Sequence, residues 1–188
     1  MAQSSTTISS QKDHKVNITG TDISFTAGTK TISATSTSLS NLSVRDLITI
    51  TGTANNNSTF TVKSVATNGL SITVEETVTT EASGASVTID YTGFVTDKYQ
   101  GDGYYSQADG VHTVAYHVLS TLTGSVKMQG SLATTPTESD WFDIAGTTFT
   151  TDQSTTIFSA NFTGNFVWVR AKASGVTAGS VMKILYNH

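Results

Sequence analysis

Apolar side chains recur at every second position along this chain, and no stretch sustains the 3.6-residue period of a helix. Val114, Tyr116 and Val118 alternate with Ala115 and His117, and Leu70, Ile72 and Val74 alternate with Ser71 and Thr73. Successive side chains of a strand point to opposite faces, so this pattern specifies sheets with one buried face. Turn signals break the pattern at short intervals: Ala27-Gly28, Asn68-Gly69, Ser83-Gly84, Thr123-Gly124, Ala145-Gly146, Thr163-Gly164 and Ala178-Gly179. The chain is therefore expected to be all-β and antiparallel. Asn68-Gly69 is expected to form a type I′ hairpin turn, because both residues tolerate positive φ.

Composition agrees with that expectation. Charged residues are only 13% of the chain, and 36 Thr and 24 Ser make up most of the polar balance. Thr is β-branched and suits the half-exposed face of a pleated sheet, whereas disordered chains draw their polarity from Pro, Glu, Lys and Gln. A single proline, Pro136, argues against a Pro-rich stalk.

Aromatic residues divide the chain. Residues 1–92 hold only Phe25, Phe60 and Tyr91, and the other 13 of 16 lie in residues 93–188. The expected organisation is an N-terminal arm at 1–17, a small β-barrel-like module at 18–92 and a jelly-roll-like antiparallel β-sandwich at 93–188. Trp141 and Trp168 are expected inside the sandwich, near Phe158 and Phe166. The arm is polar and without periodicity, and cannot bury enough apolar area to offset about 1–2 kcal/mol of backbone entropy per residue. Its order is expected to come from neighbouring chains, by strand addition to a sheet edge.

Several function classes lose support at this level. The net charge of −4 comes without basic clusters, so no nucleic-acid partner is expected. No apolar run reaches the ~20 residues of a membrane span, and Met1-Ala2-Gln3-Ser4-Ser5 has no signal-peptide character, so no membrane partner is expected. The absence of cysteine excludes disulfides and thiolate chemistry, and favours assembly in a reducing cytoplasm.

Catalytic constellations are weak. His14, His112, His117 and His188 are scattered, and there is no Gly-x-Ser-x-Gly elbow for a nucleophile. Asp140 and Asp143 flank Trp141-Phe142, a pairing that a glycosidase could use, but a solvated strand entry explains it more simply. The loop from Asp97 to Gly110 carries three carboxylates without EF-hand spacing, so no metal and no cofactor is expected there. Its tyrosines Tyr99, Tyr104 and Tyr105 are amphipathic groups suited to a protein or glycan partner, and with Gln11 and His14 of the arm they are the candidate partner-binding residues. No enzyme activity is expected.

Two stretches resemble virion proteins of tailed bacteriophages. Residues 24–89, with Asp46-Leu47-Ile48-Thr49-Ile50-Thr51-Gly52, Phe60-Thr61-Val62 and Thr73-Val74-Glu75, are similar to a small β module of tail and head-associated proteins; Arg45-Asp46 replaces its usual Gly-Asp. Residues 124–186 resemble a β-sandwich of cyanophage-like structural proteins, through Val126-Lys127-Met128-Gln129-Gly130-Ser131-Leu132, Asp140-Trp141-Phe142-Asp143-Ile144 and Gly164-Asn165-Phe166-Val167-Trp168-Val169-Arg170-Ala171. The resemblance implies a capsid decoration or cement protein, assembled in the host cytoplasm and located in the virion. It also implies a homo-oligomer, a trimer at first guess, bound to other virion proteins such as the major capsid protein. A receptor- or glycan-binding module of a tail fibre or baseplate is the alternative, with Trp141, Trp168 or the Tyr104-Tyr105 loop as a stacking platform.

Overall fold

The computed structural model describes residues 5–102, 110–119, 121–151 and 154–187. Their regular structure is antiparallel strand, with single 3-10 turns at Ala27–Thr29 and Glu138–Asp140 and no α-helix among the described residues. The chain divides into two compact units, Lys15–Phe94 and the combination of Met1–His14 with Val95–His188.

Two strands lie near the N-terminus, β1 (Ser5–Ser9) and β2 (Lys12–Asp13). The Lys15–Phe94 unit follows with β3 (Ile18–Gly20), β4 (Ser24–Thr26), β5 (Thr31–Ser33), β6 (Asp46–Thr51), β7 (Thr59–Val65), β8 (Ser71–Val74) and β9 (Val87–Val95). They pair in the order β3-β9-β6-β7-β8-β5-β4, every neighbour antiparallel. Register breaks in the β6–β9 and β7–β8 ladders bend the sheet, as extra residues in a ladder do. Residues at both ends of this order, Ile18 and Phe25, share one core with Ile32, Ile48, Ile50, Phe60, Val62, Ile72 and Ile89. The barrel-like module is this curled sheet.

The Ser/Thr/Asn loops of this unit are held by carboxylates. Asp22 accepts the backbone N–H of Thr35, Ser36 and Thr37 together with their hydroxyls. Glu81 takes the N–H of Ala54 and Asn55 and the amide of Asn56, and Glu76 takes the N–H and hydroxyl of Thr61. Asp46 is fully buried, 2.5 Å from the ammonium of Lys15, and also accepts the Ser43 N–H at 2.6 Å. Arg45 adopts φ 73°, the left-handed conformation that glycine reaches without strain. The Asn68-Gly69 hairpin connects β7 to β8, but not through a type I′ turn. Only Gly69 has positive φ (67°), while Asn68 uses its side-chain oxygen to accept the Leu70 N–H.

The other unit contains β10 (Tyr99–Gln100), β11 (Val111–Val118), β12 (Thr123–Ser131), β13 (Phe142–Asp143), β14 (Phe149–Thr150), β15 (Ile157–Thr163), β16 (Trp168–Ala178) and β17 (Ser180–Asn187). One sheet runs β1-β17-β11-β15, with β2 also on β17. In the other, β16 pairs with β10 and β12, and β12 with β13 and β14. The alternation places Val114, Tyr116, Ile184 and Tyr186 of the first sheet and Val126, Met128, Val169, Ala171 and Ala173 of the second in the interior, all fully buried. Phe149 stacks on Phe158 across the two sheets, and the Tyr116 hydroxyl donates to the Thr147 carbonyl. This is a β-sandwich.

Residues 5–17 of the expected arm are not free. Strand β1 pairs with β17 from Ser5↔Asn187 to Ser9↔Ile184, and β2 continues along it through Lys12↔Val181 and Asp13↔Ser180. Ile8 is 5% exposed. The entropic cost of ordering the segment is met by its own chain: β17 supplies the ladder and Ile8 the apolar burial, so no neighbour is needed.

Candidate functional site

Strand β16 alternates between two environments. Val169, Ala171 and Ala173 enter the core, which sends Trp168, Arg170 and Lys172 to the opposite face of the sheet. On β12, Ser131, Gln129 and Lys127 stand opposite these three, and on β10 Gln100 stands opposite Trp168. The expectation that Trp141 and Trp168 fill the sandwich core is therefore corrected. Both are half-buried on the outer face, because Trp168 shares its face with two cations that must stay out of the core.

Arg170 organises this face. Its guanidinium makes two parallel hydrogen bonds to Glu138, at 2.9 and 2.8 Å, and donates through Nε to Gln129 at 2.9 Å. The same group lies 4.3 Å from the centre of the Trp141 ring. The segment after β12 is thereby folded down onto β16, and the Trp168 indole N–H, donating to the Thr134 carbonyl at 2.9 Å, fastens its start. Lys98 sits 4.1 Å from the centre of the Trp168 ring. Each tryptophan thus carries a cation on one face, an arrangement worth about 0.5–1 kcal/mol at an exposed site. The result is a fixed cluster on the outer side of the sheet, in which Arg170 and Gln129, only 4% and 5% exposed, are buried against Glu138 and the half-buried Trp141 ring.

Asp140 and Asp143 border this surface but are committed to structure. Asp140 accepts the backbone N–H and the hydroxyl of Thr137, both at 2.7 Å, closing a capping box on the 3-10 turn. The Thr137 backbone bond, then its hydroxyl, hold the Asp140 carboxyl below its ordinary range. Burial pushes Asp143 up, but hydrogen bonds from Lys127 and Gln129 outweigh it and leave the carboxyl lowered. Both are ionised carboxylates with partners, and neither is held protonated as a general acid must be.

Of the sequence-derived partner residues, Tyr99, Gln11 and His14 lie among the described residues. Tyr99 lies in β10 against Val169, half-buried; burial, with the Asp97 charge beside it, raises the phenol above its usual pKa. Gln11 and His14 flank β2 in the other sheet. Gln11 is exposed and donates to Asp13 at 2.9 Å, and the His14 backbone N–H donates to the Gly179 carbonyl at 2.9 Å. Tyr104 and Tyr105 lie outside the described residues, as does His188. Among the described residues, no three His, Asp or Glu side chains are grouped as metal ligands.

Sequence reasoning missed two features. One is the Arg170 hub, whose signal was present: Trp168, Arg170 and Lys172 share parity. The other is His112, fully buried, with Nδ1 2.8 Å from the Tyr186 hydroxyl and Nε2 3.2 Å from the Gly164 carbonyl, stacked on Phe162. Its even position among Val114, Tyr116 and Val118 marks it as inward-facing. Walled by aromatic rings, it joins β11 to β17.

The chain matches no protein-family model. It matches no curated protein. Among solved structures it is similar to the K1 cleaved adhesin domain of Lys-gingipain from Porphyromonas gingivalis W83, with a TM-score of 0.31 and 10% identity over 92% of this chain and 95% of that one. A likeness this loose bears on neither fold nor function.

Proposed function

We propose that this protein is a non-enzymatic structural component of a tailed-phage particle, a decoration protein that acts by protein–protein contact at the capsid surface. The observation that carries this reading is how the chain uses its carboxylates. Asp22, Asp46, Glu76, Glu81, Glu138, Asp140 and Asp143 each hold a loop or pair a cation. A chain that spends its titratable groups on fixing loops, and covers its sheets with hydroxyls and amides, has rigid surfaces to offer as its chemistry. The resemblance of residues 24–89 and 124–186 to phage virion modules points the same way. Decoration proteins act in many copies, so modest contacts sum through multivalency. The test is co-sedimentation of the purified chain with tailed-phage heads lacking it. Saturable, stoichiometric binding supports the reading, and recovery of all the chain in the supernatant refutes it.

One observation favours a second reading, a receptor- or glycan-binding module. Trp141 and Trp168 lie on the outer face of the sandwich, where an indole can stack on a sugar or a partner side chain. Since these are the only two tryptophans, their fluorescence reports this surface directly. A saturable change on adding surface polysaccharide, lost in Trp168→Ala, would favour the glycan reading over capsid decoration.

A further inference from the structure

The sheet β1-β17-β11-β15 has two edges, and they are built differently. At the first, the β1 ladder is broken by a register shift between Thr7 and Ser9, and β2 adds the charged pair Lys12 and Asp13. Bulges and charges are the means by which sheets discourage edge-to-edge pairing. At the second, β15 runs in unbroken register with β11 from Val111↔Thr163 to His117↔Ile157. From Ser154 to Phe166 there is neither a charge nor a proline. Among the described residues no strand lies beyond β15. Ile157, at its start, is 58% exposed.

The hydrogen-bond parity of this edge can be read directly. The Val118 N–H donates to Thr156 and the Gly164 N–H to Gly110, so the even-numbered residues of β15 direct their backbone groups towards β11. In an antiparallel ladder the alternate residues point away. Ile157, Ser159, Asn161 and Thr163 therefore present their N–H and C=O groups to the open edge. Their side chains are exposed, while those of Phe158, Ala160 and Phe162 turn inward.

We propose that β15 pairs antiparallel with β15 of a second copy of this chain, about a two-fold axis through Ala160. The register follows from parity and overlap. Outward-pointing amides must meet outward-pointing amides, and centring on Ala160 is the arrangement that engages all four. Ser159 then stands opposite Asn161 of the second copy, hydroxyl against amide, and Ile157 stands opposite Thr163. On the inner face Phe158 meets Phe162 of the second copy in a non-hydrogen-bonded pair, where side chains approach most closely. Phe158 is half-buried, already stacked on Tyr116 and Phe149, and the pairing would complete its enclosure. Ala160, small enough to face itself, sits on the axis. The contact is isologous and closes at two copies. It stands independently of the phage reading.

Sedimentation velocity on the full chain, from about 1 to 100 µM, tests the contact over the range in which Kd corresponds to about −8 to −5 kcal/mol. The expected species is a two-chain particle. The double substitution S159K/N161K sets lysine against lysine at both central pairs and is expected to weaken the dimer at least about tenfold. S159K/N161E carries the same first change but sets lysine against glutamate twice, and is expected to restore the dimer. Amide exchange needs no substitution: Ser159 and Asn161 should gain protection as the wild-type concentration rises. A monomer throughout this range, a three-chain particle, an S159K/N161K variant that dimerises like wild type, or concentration-independent exchange at both amides would each overturn the proposal.

Discussion

Removing residues 2–9 deletes β1, and the structure sets what that costs. Ile8 is 5% exposed, and truncating a buried Ile costs about 2–5 kcal/mol, the lower half of the range applying to a strand at a sheet edge. The deletion also strips the ladder from Ser5↔Asn187 to Ser9↔Ile184 and uncovers the neighbourhood of Tyr186 and Ile184, both fully buried. Net backbone hydrogen bonds at about 0.5–1.5 kcal/mol each are largely offset by about 1–2 kcal/mol of entropy regained per freed residue. The loss is therefore dominated by apolar exposure, and we expect about 2–4 kcal/mol for the deletion and about 2–3 kcal/mol for Ile8→Ala. Both tryptophans lie in the sandwich unit, so their fluorescence in urea reports that unit and not the Lys15–Phe94 unit. With an m-value of about 2 kcal/mol/M, the midpoint should fall by about 1–2 M. A deletion variant that unfolds at the wild-type midpoint would refute the assignment of β1 to the sandwich.

Three further outcomes follow from the packing and charges. Lys15→Ala removes the ammonium that pairs with the fully buried Asp46 and should cost about 3–5 kcal/mol, read as a lowered melting temperature. Gly130→Ala places a methyl group 2.6 Å from Phe166 and should cost about 1–3 kcal/mol in urea unfolding, because that ring is itself held in the core. Asp22, Glu81, Asp140 and Asp143 all have folded-state pKa values below their ordinary ones. Their stabilisation is complete above the unfolded carboxylate pKa of about 4 and lost as pH falls through the folded values. Thermal stability should hold on acidification to about pH 5 and then decline towards pH 2, and Asp22→Asn should flatten that decline.

Much of the fold was legible because period-2 alternation depends only on which residues tolerate burial. The same rule would have placed Trp168 correctly had its parity with Arg170 and Lys172 been weighed above its size. A large aromatic is a core residue only if its face-mates are apolar, and here they are cations. The N-terminal strand was illegible for another reason. Ser5–Ser9 contains one apolar residue, and a five-residue edge strand gains its ladder from a partner 180 residues away in sequence, which no local pattern encodes. The turn after β7 shows a third limit. Asn-Gly permits type I′ geometry, but Asn68 used its side chain to bond Leu70 instead. The Arg170 cluster was legible only in part: parity puts Arg170 beside Trp168, but its stacking on Trp141 joins residues 29 positions apart through Glu138 and Gln129.

We propose that the chain works by binding the shell of a phage head. Cryo-electron microscopy of tailed-phage particles lacking the chain, imaged with and without the added full-length protein, tests it directly. The account expects new density on the outer surface of the head, repeated with capsid symmetry and fitting the sandwich. Bare heads at saturating protein, or density confined to the tail, would contradict it.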